Sequence, residues 1–256
     1  MSFKRRLSII IGALLLLLNL TAWIFLMPDT VKDQHDLMSG KTLEKTEKAE
    51  VSATPTPTAS PSEESAKPTA RTDGLPNIDI SSWEYRLVNA EHSIGEYAPV
   101  LADVEEQKLD QRIAEPMKEF IAAARDQGLS VFLSSGYRSY YEQEYLFNRK
   151  AQQYGVEEAA KIVSRPGTSE HQTGLACDIT DQYYEVKTES LEETALYQWM
   201  SKHCYEYGFI VRYPKDKEEI TGIIYEPWHF RYVGKEAAKY MYDHNLCLEE
   251  FVALYE

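Results

Sequence analysis

The amino-acid pattern predicts an α+β domain, with a central, mostly antiparallel sheet flanked by helices. Helical periodicity dominates the first part of the region after residue 76. Short strand-like runs mixed with further helices follow, and no internal repeat is present.

Each element has its own local reason. From Glu105 to Gln127, the residues Leu109, Ile113, Met117, Phe120, Ile121 and Ala124 recur at helical spacing, and Gly128 is a natural stop. LSVFLSS, residues 129–135, reads as a buried strand. Ser139 and Glu142 form an S-x-x-E capping box that opens a helix over YYEQEYLFNRKAQQYG. Another helix is expected from Leu191 to Tyr207. Strand candidates are Gly174–Thr180, Phe209–Tyr213 and Trp228–Val233.

Upstream of this domain the chain is made of different material. No charge occurs from Leu7 to Met27, a length that spans a hydrocarbon layer as a helix. Lys4, Arg5 and Arg6 precede it, which places residues 1–6 in the cytoplasm and the rest outside. The run is longer than a signal-peptide core and no A-x-A site follows it, so residues 7–27 read as an uncleaved single-pass anchor. Residues 28–75 are rich in Pro, Thr and Ser and poor in large apolar groups. Such a segment cannot bury enough surface to offset its ordering entropy, and it reads as a disordered tether. The domain proper is expected over residues 76–256.

A net charge of −14 leaves no basic face for nucleic acid, so a nucleic-acid binder is not expected. The three cysteines, Cys177, Cys204 and Cys247, make no CxxC, so neither a disulfide framework nor a cysteine zinc site is expected. A single Cys204–Cys247 pair is left open. Cys177 sides with Leu175 and Ile179 as a small core residue.

Two segments carry polar groups into strands. In GLACDIT, alternation puts Ala176, Asp178 and Thr180 on one face, opposite the apolar Leu175, Cys177 and Ile179. His171 lies before Gly174, able to bend back over the same face. In YEPWHFRYV, Trp228, Phe230 and Tyr232 alternate with His229 and Arg231. Glu226 would point away from His229 in a straight strand, but Pro227 bends the chain there and can swing it beside the imidazole. Two histidines and a carboxylate on neighbouring strands form a three-ligand zinc set with one position left for water. Glu226 then stands where a general base belongs. A lone histidine is more often structural, and His35, His92, His203 and His244 are read that way.

The pattern S-x-H-x-x-G-x-A-x-D at Ser169–Asp178, followed by E-P-W-H at Glu226–His229, resembles the D-alanyl-D-alanine carboxypeptidase family of zinc peptidases. That family includes VanY-type D,D-carboxypeptidases and related L,D-carboxypeptidases. SSGYRS, PGTSEHQTG and GFIVRYP carry the same resemblance, over roughly 130–240. It implies a single zinc-peptidase domain with one Zn2+, held by His171, Asp178 and His229. It implies Glu226 as catalytic base and Arg138 as the group that contacts substrate and stabilises the oxyanion. Ser169 and Gln143 are implied to help hold the peptide. The implied reaction is removal of the C-terminal D-alanine from peptidoglycan stem peptides, by a domain outside a bacterial cell membrane. L,D-carboxypeptidases, endopeptidases and a metal-bearing binding module without hydrolysis are the alternatives. Glu226 and Arg138 beside all three ligands favour an enzyme. Residues 76–104 match no motif and are expected to add a flap or a pocket wall.

Overall fold

The computed structural model describes residues 74–183 and 187–256. At its centre four strands pair antiparallel in the order β3-β4-β6-β5, where β3 is Phe132–Ser135, β4 Ala176–Thr180, β5 Phe209–Val211 and β6 His229–Tyr232. A separate hairpin joins β1 (Leu101–Val104) to β2 (Gln107–Asp110). The α+β expectation and the antiparallel sheet are therefore met. The expected anchor at 7–27, and the tether up to residue 73, lie outside the described residues. Among the described residues no helix is long and apolar enough to cross a membrane.

One face of the sheet is dry. Leu133, Cys177, Ile179, Phe209 and Phe230 pack there against Met117, Phe120 and Ile121 of α1 (Ala114–Asp126) and Leu196 and Met200 of α4 (Ala195–His203). Phe120 is the hub, stacked on Trp199, Tyr207 and Phe209 and edge-on to Phe230. A second cluster forms where Ile210 of β5 meets Val233, Ala237 and Met241 beside α6 (Lys235–His244) and Leu248 and Phe251 of α7 (Leu248–Ala253).

Several boundaries differ from the sequence expectation, for physical reasons. The helix expected from Glu105 begins only at Ala114. Glu105 takes a left-handed φ of 53° and turns the chain into the β1–β2 hairpin. Leu109 and Ile113 share helical spacing, but Leu109 sits in β2, which tertiary hydrogen bonds fix. Lys108 O accepts from Tyr137 N at 2.7 Å, and Asp110 N donates to Gly174 O at 3.0 Å. The run 129–135 is an edge strand rather than a buried one, with Phe132 44% exposed. The expected helix 191–207 is a 3-10 turn, α4 capped by Thr194, and a second 3-10 turn. All three cysteines are buried and free, so the Cys204–Cys247 pair does not form. The Ser139–Glu142 capping box is formed as expected and starts α2 (Tyr140–Tyr154), which α3 (Val156–Ile162) follows; the short α5 (Glu218–Thr221) lies between β5 and β6.

Two glycines hold the site's loops. Gly174 has φ +69°, and a Cβ there would stand 2.7 Å from Asp110 N, so any side chain is both strained and in collision. A Cβ on Gly136 would lie 2.5 Å from Lys108 O. These two glycines let the loops before β4 and after β3 press against the hairpin.

Residues 76–104 do not form a pocket wall among the described residues. They pack behind the site instead. Trp83 stacks on Tyr232, and the carbonyls of Gly95 and Tyr97 accept from Gln172 Nε2.

Candidate active site

β4 and β6 pair in register, with Asp178 directly opposite His229 and Cys177 opposite Phe230. Directly opposed residues share a face. The pairing that buries Cys177 and Phe230 in the core thus puts Asp178 and His229 together on the other side. His171 arrives from a 3-10 turn, Glu170–Thr173, that ends at Gly174. His171 Nε2 lies 3.3 Å from Asp178 Oδ1, and His229 Nδ1 lies 3.1 Å from the same oxygen. All three residues are buried.

Glu226 reaches the group through a tight turn. His229 N donates to Glu226 O at 3.1 Å, with Pro227 and Trp228 between them. Proline suits the second position of such a turn, where φ is already fixed. The turn brings Glu226 Oε2 to 3.6 Å from His229 Nδ1. Trp228, expected on the core face of the strand, belongs to this turn and lines the pocket instead.

The pocket is a cavity of ≈ 270 Å³ lined by Arg138, Ser169, Asp178, Lys187, Glu226 and His229, among others. Arg138 is half-buried. Its Nη1 donates to Gln143 Oε1 at 2.9 Å and its backbone N donates to His171 O at 3.1 Å. Gln143 is fully buried, and its Nε2 donates to Ser164 O at 2.6 Å. Both ends of its amide are thus engaged by the protein, one of them aiming Arg138. Ser169 is buried at the pocket wall. His92 bonds Asn89, His203 bonds Glu206 and His244 bonds Tyr240 O, all away from the pocket.

The electrostatics follow from burial and partners. Burial raises Glu226 to about 6, since a buried carboxylate loses its hydration. Burial would lower His229, but Asp178 and Glu170 outweigh it and lift the imidazole to about 9. For Asp178, burial acts upward and is overcome by His171, His229 and Lys187, so it stays ionised well below its ordinary range. Lys187 Nζ sits on Asp178 Oδ2.

Sequence reasoning assigned no role to Glu170, Arg212, Arg231 or Lys187. Glu170 and both arginines have side chains that are 0% exposed. Glu170 Oε1 accepts from Arg212 Nε and Arg231 Nη1, each at 2.7 Å. Arg212 reaches on to Glu249 of α7 with both terminal nitrogens, at 2.8 and 2.6 Å.

The donor set fits a zinc ion. His171 Nδ1 donates to Gly136 O at 2.8 Å, which leaves the Nε2 lone pair free. Ligand atoms about 2.0–2.2 Å from a tetrahedral zinc stand roughly 3.3–3.6 Å apart. The spacings around Asp178 Oδ1 are close to that, and the three ligand atoms all lie within 4.8 Å of one another. Two nitrogens and one oxygen, with a carboxylate next to them, suit a catalytic rather than a structural metal.

Known proteins share this chain's sequence and fold across the site. The VanY family model, D-alanyl-D-alanine carboxypeptidase, matches residues 106–235. A D-alanyl-D-alanine carboxypeptidase of Enterococcus faecalis is 38% identical over 206 residues, covering 74% of this chain and 72% of its own length. Among solved structures, the LdcB LD-carboxypeptidase gives a TM-score of 0.62 at 39% identity, over 65% of this chain and 84% of that one. The vancomycin-resistance D,D-pentapeptidase VanY of a VanB-type cassette, solved as a mutant in complex with Zn(II), gives 0.60 at 37% identity, over 67% of this chain and 99% of that one. A family match across the site and a shared fold at this identity lead to one conclusion: the chain belongs to the VanY family of D-alanyl-D-alanine carboxypeptidases.

Proposed function

We propose that this chain is a zinc-dependent D,D-carboxypeptidase that removes the C-terminal D-alanine from peptidoglycan stem peptides. The observation that carries the reading is the meeting of His171, Asp178 and His229 around one carboxylate oxygen, with Glu226 beside them, at the wall of an open pocket. Zinc held there supplies Lewis acidity, which polarises the scissile carbonyl and makes water a nucleophile near neutral pH. Glu226 takes the proton from the attacking water and returns it to the leaving amine. Its pKa of about 6 suits both directions of transfer. Arg138, aimed by Gln143, offers its remaining N–H groups to the developing oxyanion. Ser169 contributes a hydroxyl at the pocket wall. Arg138, Lys150 and Lys187 are cations among the described lining residues, and they favour a peptide that ends in a free carboxylate.

The test is cleavage of purified stems followed by mass spectrometry. The pentapeptide is expected to lose one alanine. A chelator should abolish the reaction and added zinc should restore it. The likeness to LdcB keeps an L,D reading in view. Loss of alanine from the tetrapeptide alone would replace the present reading with that one.

We further propose that residues 7–27 anchor the protein in the bacterial cell membrane, with residues 28–75 as tether and the catalytic domain outside. The uncharged run and the preceding Lys4, Arg5 and Arg6 support this. Protease added to intact, wall-stripped cells should then degrade the catalytic domain; a domain protected until the cells are lysed would refute the topology.

A further inference from the structure

Glu170 sits one residue before a ligand, yet its side chain turns away from His171 and toward His229. Glu170 Oε2 and His229 Nε2 are buried atoms with no hydrogen-bond partner among the described residues, and they face each other at 3.5 Å. The opposite nitrogen, Nδ1, faces Asp178 and Glu226. The two imidazoles are therefore oriented in opposite senses: His171 turns Nε2 to the centre of the site and His229 turns Nδ1 to it.

We infer that Glu170 is a positioning residue that fixes His229 with its proton on Nε2, so that the Nδ1 lone pair is offered to the metal. This rests on the zinc-site reading above. Metal binding displaces one proton of a charged imidazole, and the proton that remains must choose a nitrogen. An N–H aimed at a buried carboxylate is favoured, whereas leaving both atoms unpaired in a dry site is costly. Glu170 can play this part because its other oxygen is already taken. Two guanidiniums on Oε1 stop the carboxylate from rotating and leave Oε2 for the histidine. One 3-10 turn thus serves both histidines, supplying His171 itself and the carboxylate that orients His229. Such outer partners of metal-bound histidine set the tautomer and raise ligand basicity.

The test is Glu170→Gln in the full-length protein. The amide keeps the side-chain shape, and its oxygen still meets both arginines. Its NH2 then faces His229 Nε2, where a donor meets a donor, and the proton is driven to Nδ1. In a variant that melts cooperatively, zinc affinity by chelator competition is expected to fall about 10–100-fold. At saturating zinc, kcat is expected to fall with KM little changed. Unchanged zinc affinity in folded Glu170→Gln would overturn the inference. Should the variant not fold, long-range 1H–15N correlation on the zinc-loaded unmodified protein decides the matter. A proton on His229 Nε2 with a metal-shifted Nδ1 supports it, and the reverse pattern overturns it. Zinc binding by the unmodified chain with an unaffected variant sinks only the role of Glu170. No zinc binding by the unmodified chain sinks the zinc-site reading and this inference together.

Discussion

Glu226→Gln is expected to lower kcat on the pentapeptide stem by about 10²–10⁴-fold while leaving zinc bound. The amide preserves the shape of the turn, because the bond from His229 N to Glu226 O uses the backbone and not the side chain. Among the described residues it removes the one carboxylate beside the ligands that is neither a ligand itself nor bound to a guanidinium. Asp178 faces both ligand nitrogens across the metal position and is bonded to Lys187, and Glu170 is bonded to two arginines. Neither can substitute as a proton carrier. The check is a pair of measurements, turnover on the purified stem and zinc content by mass spectrometry of the native protein. Near-full turnover with zinc retained would remove Glu226 from the mechanism. Loss of zinc together with turnover would make it a ligand.

Arg231→Met is expected to cost roughly 3–5 kcal/mol of stability, the range found when one partner of a buried ion pair is deleted. Arg231 is completely buried. Besides Glu170 it serves the backbone, with Nη2 donating to Glu84 O and Arg86 O at 3.0 Å each and Nε donating to Tyr232 O at 3.1 Å. Methionine fills much of the volume but satisfies none of these groups. Two carbonyls of the segment before β1 then lose a donor, and Glu170 is left with Arg212 alone of its two guanidiniums. A melting temperature lower by on the order of 10 °C is expected for a domain of this size. Chemical denaturation with and without zinc checks it. A shift under about 1 kcal/mol would show that the network relaxes around the loss.

Much of this was legible in the sequence because the strand code is simple. Alternation in GLACDIT and in WHFRYV forces Asp178 and His229 onto the face opposite Cys177 and Phe230, and the register does the rest. Pro227 announced the bend that brings Glu226 to the ligands. Ser139 and Glu142 announced the start of α2, because a capping box is a local interaction that needs no tertiary partner. What was not legible depends on distant groups. The β1–β2 hairpin reads as helix by spacing alone, because the bonds that hold it come from Tyr137 and Gly174, far along the chain. Arg231 shares the face of His229 and could have been flagged, since an arginine two positions from a ligand in a strand needs a buried counter-charge. That the counter-charge is Glu170 follows only from seeing the turn fold back over β6. The sequence before Lys187 has no period and no capping signal, so nothing local predicts its bond to Asp178.

The link from Arg212 to Glu249 also makes the C-terminal helix part of the site's frame. Every described residue that lines the pocket lies between Arg138 and His229, so α7 contributes no lining residue. A chain cut before Leu248 nevertheless leaves Arg212 with Glu170 and without its two bonds to Glu249. It also lacks Leu248 and Phe251 from the second apolar cluster. The last turns of the chain thus act on the ligands through charge and packing, without reaching the cleft.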